Sequence, residues 1–459
     1  MARPMTPPAR LLVTAIALVA LACTGEPTAV NPGGPSLAKG GKPGGGSGPR
    51  VDSVAPSYGY QGDFLSDVKI SGAGFDASAE ASWERNGVPD PKITVLATRF
   101  ISASELRADI AIAGDAEISL YDVAVTVTVS SVRKKGVGIE SFEVTTAQVI
   151  ATACATSNAA MGVNGAGQVV GRSCDQGFVW EPGAGTVSLG IGIATDLDEA
   201  GTTIVGASWS SATAASDGPA LVWTRSGAVW VRGELPSDGL TARANAVASD
   251  AAGHAFIIGG QVKEPVSKRS TVNRPTLWLV SGGAWVRTQL PIPAGLPSNT
   301  SLNLLDVNAA GQAVGGRAGD AVFWEPDGGG GYLATRLPGT GQANGISADG
   351  TVIVGYAGGV AAYWRRASGT WTGPISLHAS CGGASSGWAN AVNAAGVIAG
   401  KGCGGAAVWK LSGGSVVELR LPGLGNQDSS QEAWDVNDAI PARASGNALK
   451  TAVYWDLPF

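Results

Sequence analysis

The chain has 459 residues, of which 68 are Gly, 25 are Pro and 15% are charged. Ordinary domains contain about 12% Gly plus Pro and about 25% charged residues, so a helix bundle or coiled coil, which needs abundant Glu, Lys and Leu, is excluded. The 44% of apolar residues and the 14 Trp exclude a disordered polymer, because they are enough to bury a core. The net charge of −5 argues against general nucleic-acid binding, which needs a clustered basic surface.

The N-terminus has the pattern of an export signal, and we predict a signal peptide over residues 1–22. Arg3 and Arg10 precede an apolar run at residues 11–22, which is too short to span a bilayer but suits a signal peptide. The run ends in Ala20-Leu21-Ala22-Cys23 and resembles a bacterial lipobox, which implies that Cys23 is lipidated. The same residues also fit an ordinary A-x-A cleavage site, which would leave a secreted protein.

Residues 23–50 are rich in Gly, Pro, Ser and Lys and are predicted to form a disordered tether with a span of about 30 Å. We therefore expect an exported protein at the bacterial cell surface or outer membrane. It would touch the membrane only through a lipid anchor, and a secreted or periplasmic protein is the alternative.

Residues 51–146 alternate apolar and polar positions in about seven short segments separated by turn residues, which predicts a β-sandwich. Three motifs occur in order: Val51-x-Ser53-Val54-x-Pro56-x-x-Gly59-x-x-Gly62, Ile70-x-Gly72-x-Gly74-Phe75 and Tyr121-Asp122-Val123. With these motifs the segment resembles an IPT/TIG immunoglobulin-like domain. The resemblance implies a spacer that presents another domain, without chemistry of its own.

Residues 147–459 repeat with a period of about 46 residues. In each unit an Asn, Asp or Ser is followed three residues later by Gly, and an apolar run then closes on another Gly. The turn pairs are Asn164-Gly167, Asp198-Gly201, Asp250-Gly253, Asn308-Gly311, Ser347-Gly350 and Asn393-Gly396, with Asn437 as the seventh turn, and the closing glycines are Gly171, Gly206, Gly259, Gly315, Gly355, Gly400 and Gly446. A Trp ends the next strand of each unit: Trp180, Trp223, Trp278, Trp324, Trp364, Trp409 and Trp455. Such a period indicates a repeat architecture.

Each unit predicts four short antiparallel strands, A to D, with the Asn-x-x-Gly turn joining A to B. Four strands in about 45 residues are typical of a propeller blade, so the fold class is all-β, an Ig-like β-sandwich followed by a seven-bladed β-propeller. The last unit ends before a strand D, and we expect residues 147–152 to supply it and to close the ring. The units also resemble HAF-type extracellular repeats, most clearly at residues 160–171 and 389–400. That resemblance reinforces the fold and implies no reaction.

Four cysteines occupy matching places in units one and six. Cys154 and Cys381 precede strand A of their units, whereas Cys174 and Cys403 each lie three residues after the Gly that closes strand B. In an exported protein this predicts two disulfides, Cys154–Cys174 and Cys381–Cys403. A zinc site of four cysteines is the rival interpretation.

Three Trp do not fit the repeat: Trp209 lies between strands B and C of its unit, and Trp388 and Trp434 lie where the chain enters strand A. The longer connections, at residues 207–219, 261–275, 291–303, 379–387 and 424–432, belong to the rim that holds the B–C and D–A loops. Loops on a rigid scaffold carry function. These three Trp are therefore the candidate stacking residues of a binding face, with rim packing as the alternative. The seven repeat Trp, in contrast, are expected to pack between sheets.

No catalytic residue, metal site or cofactor is predicted. The chain has two His, His254 and His378, and neither lies in a motif with a nucleophile. The expected function is non-catalytic recognition of a glycan or a surface protein by a monomer, with no nucleic-acid partner. A glycan-degrading propeller enzyme and a purely structural surface protein are the alternatives.

Overall fold

The computed structural model of the protein describes residues 48–150, 152, 154, 157–208, 218–249, 255–378, 387–412, 415–424, 431–448 and 450–458. Strands make up 66% of these residues, so the protein is all-β, as predicted. None of the described residues forms a helix, and no helix that could cross a membrane is found among them. Residues 48–459 form one compact unit.

Nine strands occupy the first hundred described residues and form two sheets. One sheet has the order β1-β3-β7-β6 and the other β2-β9-β8-β4-β5. Their bounds are β1 Arg50–Ala55, β2 Tyr58–Tyr60, β3 Phe64–Ala73, β4 Glu80–Arg85, β5 Val88–Pro89, β6 Ile93–Ser102, β7 Glu105–Ile112, β8 Ser119–Val129 and β9 Val132–Thr145. One buried cluster draws on both sheets, with Ile70 and Leu106 from the first and Trp83, Tyr121 and Phe142 from the second.

The rest of the chain forms seven four-stranded sheets, which we number 1 to 7. Sheet 1 contains β11 Asn158–Val163, β12 Val169–Ser173, β13 Gln176–Glu181 and β14 Gly185–Ile191. Sheet 2 contains β15 Ile193–Leu197, β16 Thr203–Ala207, β17 Ala220–Ser226 and β18 Val229–Glu234. Sheet 3 contains β19 Ala242–Ser249, β20 Ala255–Ser267, β21 Ser270–Ser281 and β22 Ala284–Gln289. Sheet 4 contains β23 Asn303–Val307, β24 Ala313–Arg317, β25 Asp320–Pro326 and β26 Tyr332–Arg336. Sheet 5 contains β27 Gln342–Ile346, β28 Val352–Ala357, β29 Val360–Ala367 and β30 Thr370–Ser376. Sheet 6 contains β31 Trp388–Val392, β32 Val397–Gly402, β33 Gly405–Ser412 and β34 Ser415–Arg420. Sheet 7 contains β35 Glu432–Val436, β36 Arg443–Ala448, β37 Thr451–Asp456 and β10 Gln148–Val149.

The predicted A–B turns are present in five sheets. In the turn of sheet 1 the N–H of Gly167 donates to the carbonyl of Asn164 at 2.8 Å, and Gly167 has a φ of 75°. The same bond and a positive φ recur at Gly201, Gly311, Gly350 and Gly396. Gly is needed there because this φ strains any residue with a Cβ. The turn at Asp250-Gly253 lies outside the described residues.

The Gly that closes strand B is required by a close approach of two backbones. A Cβ on Gly315 would lie 2.1 Å from the carbonyl oxygen of Asn303 on strand A, which adjoins a β-bulge. In sheet 3 the equivalent residue is Gly260, which pairs with Ala244 before the bulge. The assignment of Gly259 to this position is therefore wrong by one residue, because sheet 3 has a second register shift, between Ala248 and Ser249, that adds one residue to β20 before the close approach.

The repeat Trp pack between neighbouring sheets, as predicted. Six of the seven are almost fully buried: Trp223, Trp278, Trp324, Trp364, Trp409 and Trp455. The Nε1 of Trp324, for example, donates to the carbonyl of Pro291 on the connection that leaves sheet 3, at 2.9 Å, and its ring packs against Leu277 of that sheet. Each of these rings therefore fills the space between its own sheet and the preceding one.

The contacts between sheets follow a cyclic order. Strand B of each sheet packs against strand A of the next, from β12 on β15 to β32 on β35, and β36 of sheet 7 packs against β11 of sheet 1. Sheet 7 is completed by β10, which precedes the first repeat unit, because Gln148 and Val149 pair with Tyr454 and Val453. This pairing confirms that the run before the first unit supplies the missing fourth strand.

One predicted loop is wrong. Residues 261–275 are mostly paired, because β20 and β21 continue as an extended hairpin in which Val262 pairs with Arg274 and Glu264 with Val272. Cross-strand ion pairs hold this hairpin together: Glu264 accepts from Arg287 of β22 and lies 3.5 Å from Arg274. The basic residues of the segment therefore belong to an ordered hairpin.

The predicted disulfide between Cys154 and Cys174 is confirmed. It joins the segment before strand A of sheet 1 to the turn after its strand B. Cys403 is also disulfide-bonded, and its expected partner Cys381 lies outside the described residues. The Cys154–Cys174 bond indicates an extracellular or periplasmic location, where disulfides persist.

We predict that tryptic digestion without reduction yields peptide 402–410 joined to peptide 367–401, because cleavage at Arg366, Lys401 and Lys410 separates Cys403 from Cys381. Mass spectrometry before and after reduction measures the link. A peptide that joins Cys403 to the segment with Cys154 would contradict the pairing.

Gly315→Ala is expected to destabilise the fold by about 2 kcal/mol or more, because the new Cβ would meet a backbone oxygen that cannot move away. Gly233→Ala is the matched control, since a Cβ there would come no closer than 3.4 Å to Val222. Denaturant unfolding of both variants measures the difference. Equal stability of the two variants would refute the close-approach explanation.

Candidate functional site

Two of the three candidate Trp lie close together on neighbouring sheets. Trp388 is the first residue of β31 in sheet 6, and Trp434 is the third residue of β35 in sheet 7. Both side chains are half-buried. The third candidate, Trp209, lies outside the described residues.

Each of the two Trp donates a hydrogen bond to a polar side chain of sheet 7. The Nε1 of Trp388 donates to Oε1 of Glu432, and Nδ2 of Asn390 donates to the same oxygen at 2.7 Å. The Nε1 of Trp434 donates to Oδ1 of Asn447 at 2.9 Å, and Asn447 is the register partner of Glu432. We call the six residues Trp388, Asn390, Lys401, Glu432, Trp434 and Asn447 the Glu432 cluster.

The Glu432 cluster combines aromatic faces with charge. Lys401 is the register partner of Trp388, and its Nζ lies 5.0 Å from the centre of the Trp388 ring. Burial raises the pKa of Glu432, while the hydrogen bonds from Trp388 and Asn390 and the charge of Lys401 act in the opposite direction. Side chains that present ring faces, amides and a carboxylate suit the apolar faces and hydroxyl groups of a sugar.

Other polar side chains lie at the same end of sheets 3 to 5, on A, B and C strands. Asn273 donates to Asn303 at 2.8 Å, and Tyr356 contacts Gln342 at 3.5 Å. Asn303 and Gln342 are the first residues of β23 and β27, the position that Trp388 holds in β31. The first residues of the A strands, among them Asn303, Gln342 and Trp388, therefore form a shared polar and aromatic edge. We call this end of the seven sheets the A-start edge.

The opposite ends of the A strands surround a cavity of about 590 Å³. All seven sheets contribute to its lining, at the ends of the A strands and in the A–B turns. The lining includes Val163, Asp196, Val247, Asp306, Ile346, Val392 and Asp435, one residue from each sheet. Glu199 and Asp438 also line it, so the cavity is acidic.

Asp196, Asp306 and Asp435 hold the same position, directly after the β-bulge of their A strands. Each carboxylate accepts one hydrogen bond from the next N–H of its own strand and one from the following sheet. For Asp306 these come from Val307 and Ile346, both at 2.8 Å. The same arrangement joins sheet 2 to sheet 3 and sheet 7 to sheet 1.

The surroundings of these three carboxyls favour the neutral, protonated form. Burial raises the pKa of Asp306 to about 6. Burial also raises the pKa values of Asp196 and Asp435, and the negative charges of neighbouring carboxylates raise them further. The three groups face one cavity from different sheets and titrate as an interacting set.

Sequence reasoning missed Glu432 and the three aspartates. Each aspartate stands two residues before the turn residue of its unit, but the same position holds Gly162 in sheet 1, Gly345 in sheet 5 and Ala391 in sheet 6. A position that varies among Asp, Gly and Ala gives no repeat signal. The signal that could have found the aspartates is their shared place, two residues before the turn residue, in three of the seven units.

No protein-family model and no curated protein sequence matches the chain. Within the described ranges, no group of three or more His, Cys, Asp or Glu side chains is placed to hold a metal ion.

The raised pKa of Asp306 predicts a pH-dependent stability. The folded protein binds this proton more tightly than the unfolded chain, so the contribution is complete below about pH 4 and is lost as the pH rises to about 6. Across this pH range, the free energy of unfolding of the natural protein should fall relative to that of Asp306→Asn. The expected slope is about 1 kcal/mol per pH unit. Denaturant unfolding at several pH values measures it. Parallel profiles for the two proteins would contradict the raised pKa.

Proposed function

We propose that the protein is an exported, lipid-anchored recognition protein in which an Ig-like IPT/TIG spacer carries a seven-bladed β-propeller of HAF-type repeats. The propeller binds a glycan, or a glycan-bearing surface partner, at the Glu432 cluster without cleaving it. Cys23 is the proposed site of lipidation, and residues 23–47, which lie outside the described residues, are the proposed tether. The predicted end of the tether at residue 50 is wrong, because β1 begins at Arg50.

Three observations support the propeller. Seven sheets of four strands contact one another in a cyclic order. Strand β10, which precedes the first repeat unit, completes the sheet that holds the last three strands β35, β36 and β37. The acidic cavity is lined by residues of all seven sheets at one end of their A strands, as expected where seven sheets meet around an axis.

The single observation that carries the binding function is the Glu432 cluster. It places two half-buried Trp, a buried carboxylate and a Lys side chain at the border of two neighbouring sheets. The carboxylate fixes the Trp388 ring through the Nε1 bond, and Lys401 lies over one face of the ring. The opposite face is the proposed contact for a ligand. A ring that is held in place loses little side-chain entropy on binding.

The acidic cavity is the observation that favours a glycan-cleaving enzyme, and its hydrogen bonding argues against that function. A general acid or nucleophile needs a carboxyl oxygen that can reach the substrate. In all three aspartates both oxygens accept backbone N–H groups, one from the same strand and one from the next sheet. Their proposed role is therefore to join sheets.

The proposal predicts glycan binding that depends on two Trp. Trp388→Ala and Trp434→Ala should each weaken binding of a glycan identified on an array by about tenfold, because an aromatic contact contributes about 1 kcal/mol or more. Trp230→Ala is the matched control, since this half-buried Trp lies on an outer strand of sheet 2 beside Arg225. Isothermal titration of the full chain measures the affinities.

Unchanged affinity in both cluster variants would reject this site. Release of shorter sugars from the same glycans by the purified protein would replace non-catalytic recognition with an enzyme.

A further inference from the structure

Arg243 lies at the A-start edge in an unusual environment. It is the second residue of β19 in sheet 3 and is paired in register with Gln261. Its side chain is half-buried, and its Nε donates to Oδ1 of Asn245 at 2.8 Å. An amide oxygen is a neutral partner, so the charge of Arg243 is not balanced by this bond.

The orientation of Asn245 is fixed by two other hydrogen bonds. Its Nδ2 donates to Oε1 of Gln261 at 2.7 Å and to the carbonyl of Leu304 in sheet 4 at 2.5 Å. Both hydrogens of the amide are thereby used, so its oxygen must face Arg243. Asn245 thus holds the guanidinium through Nε and leaves Nη1 and Nη2 for another partner.

Other half-buried Arg side chains have carboxylate partners. Arg366 pairs with Glu325 at 2.9 Å, Arg443 with Asp456 at 2.7 Å and Arg287 with Asp238 at 2.7 Å. Within the described ranges, Arg243 makes no ion pair, and its Nη atoms are not among the buried atoms that lack a partner. The Nη atoms of Arg243 therefore lack a protein partner among the described residues and are not completely buried.

A second positive charge acts on Arg243. Burial, and to a smaller degree the charge of Arg172 on β12 of sheet 1, lower the pKa of Arg243 to about 10. An anion bound beside the Arg243 guanidinium offsets both effects.

We propose that Arg243, held by Asn245, is an anion site that receives a carboxylate or sulfate group of an acidic glycan. The inference rests on the proposed function and specifies the class of glycan. Guanidinium binds such oxyanions through two parallel hydrogen bonds.

The charges at the two ends of the A strands support this assignment. The aspartates of the cavity stand near the ends of their strands, whereas Arg243 and Lys401 stand at the A-start edge. Arg243 lies just before the bulge region of its strand and the aspartates lie directly after the bulge of theirs, so about three residues of strand, on the order of 10 Å, separate the two levels. The A-start edge also holds the buried carboxyl of Glu432, the first residue of β35. An acidic glycan is therefore expected beside Arg243 and Lys401, away from Glu432 and from the acidic cavity.

The test compares three forms of one oligosaccharide with the full chain: carboxylated, sulfated, and neutral after reduction of its carboxyl groups. At constant ionic strength the natural protein should bind at least one acidic form about tenfold or more tightly than the neutral form. Arg243→Gln should abolish this preference and leave affinity for the neutral form unchanged, and Arg243→Lys should restore only part of it. Lys268→Gln, on the exposed tip of the β20–β21 hairpin, is the control for nonspecific attraction.

Inorganic sulfate provides a probe that does not require glycan binding. Its effect on the melting temperature should be larger for the natural protein than for Arg243→Gln, and comparing the two cancels the general effect of the salt. If this difference persists while no oligosaccharide binds, the anion site stands and the glycan function fails. Equal affinity for the acidic and neutral forms, or an acidic preference that survives Arg243→Gln, would overturn the anion site and leave glycan recognition intact.

Discussion

The structure depends on each four-stranded sheet being covered on both faces by other sheets. A sheet of four short strands has apolar residues on its two faces, and only its neighbours can remove them from water. Trp324 shows how this is done, since its ring packs on Leu277 of the preceding sheet and its Nε1 bonds the connection that leaves that sheet. Because each sheet needs a neighbour on both sides, seven sheets satisfy one another only if the last also covers the first.

Polar side chains make this cover specific. Where the A strands meet, Asn245 and Asn390 donate to carbonyl groups of the next sheet, and Asp306 and Asp435 accept N–H groups from the next sheet. Apolar packing alone permits neighbouring sheets to slide, whereas a buried amide or carboxylate loses hydrogen bonds as soon as the register changes. The cost is that several carboxyls are buried with raised pKa values, which reduces the stability of the folded protein as the pH rises towards neutrality.

The same construction separates a structural end from the proposed binding end. At the cavity end, the aspartates use both oxygens to join sheets. At the A-start edge, Trp388 and Arg243 are each fixed by one side-chain bond, to Glu432 and Asn245. Preorganised aromatic and cationic groups on a rigid scaffold suit non-catalytic recognition, because little ordering is required on binding.

The sequence by itself determined the all-β class, the four strands of each unit, the turns and the Cys154–Cys174 bond. These depend on local chemistry: the left-handed φ that favours Gly167, the alternation of side chains along strands, and the matching places of cysteines in the repeat. The resemblance to IPT/TIG domains and HAF-type repeats stays a prediction. Only the tertiary structure brought Glu432 to Trp388, set three aspartates around one cavity, placed Gly260 instead of Gly259 at the close approach and left Arg243 with an amide as its partner. The first two features arise where strands about 40 residues or more apart in the chain meet. The last two depend on the register within sheet 3, where bulges change which side chains face each other, so no local pattern encodes them.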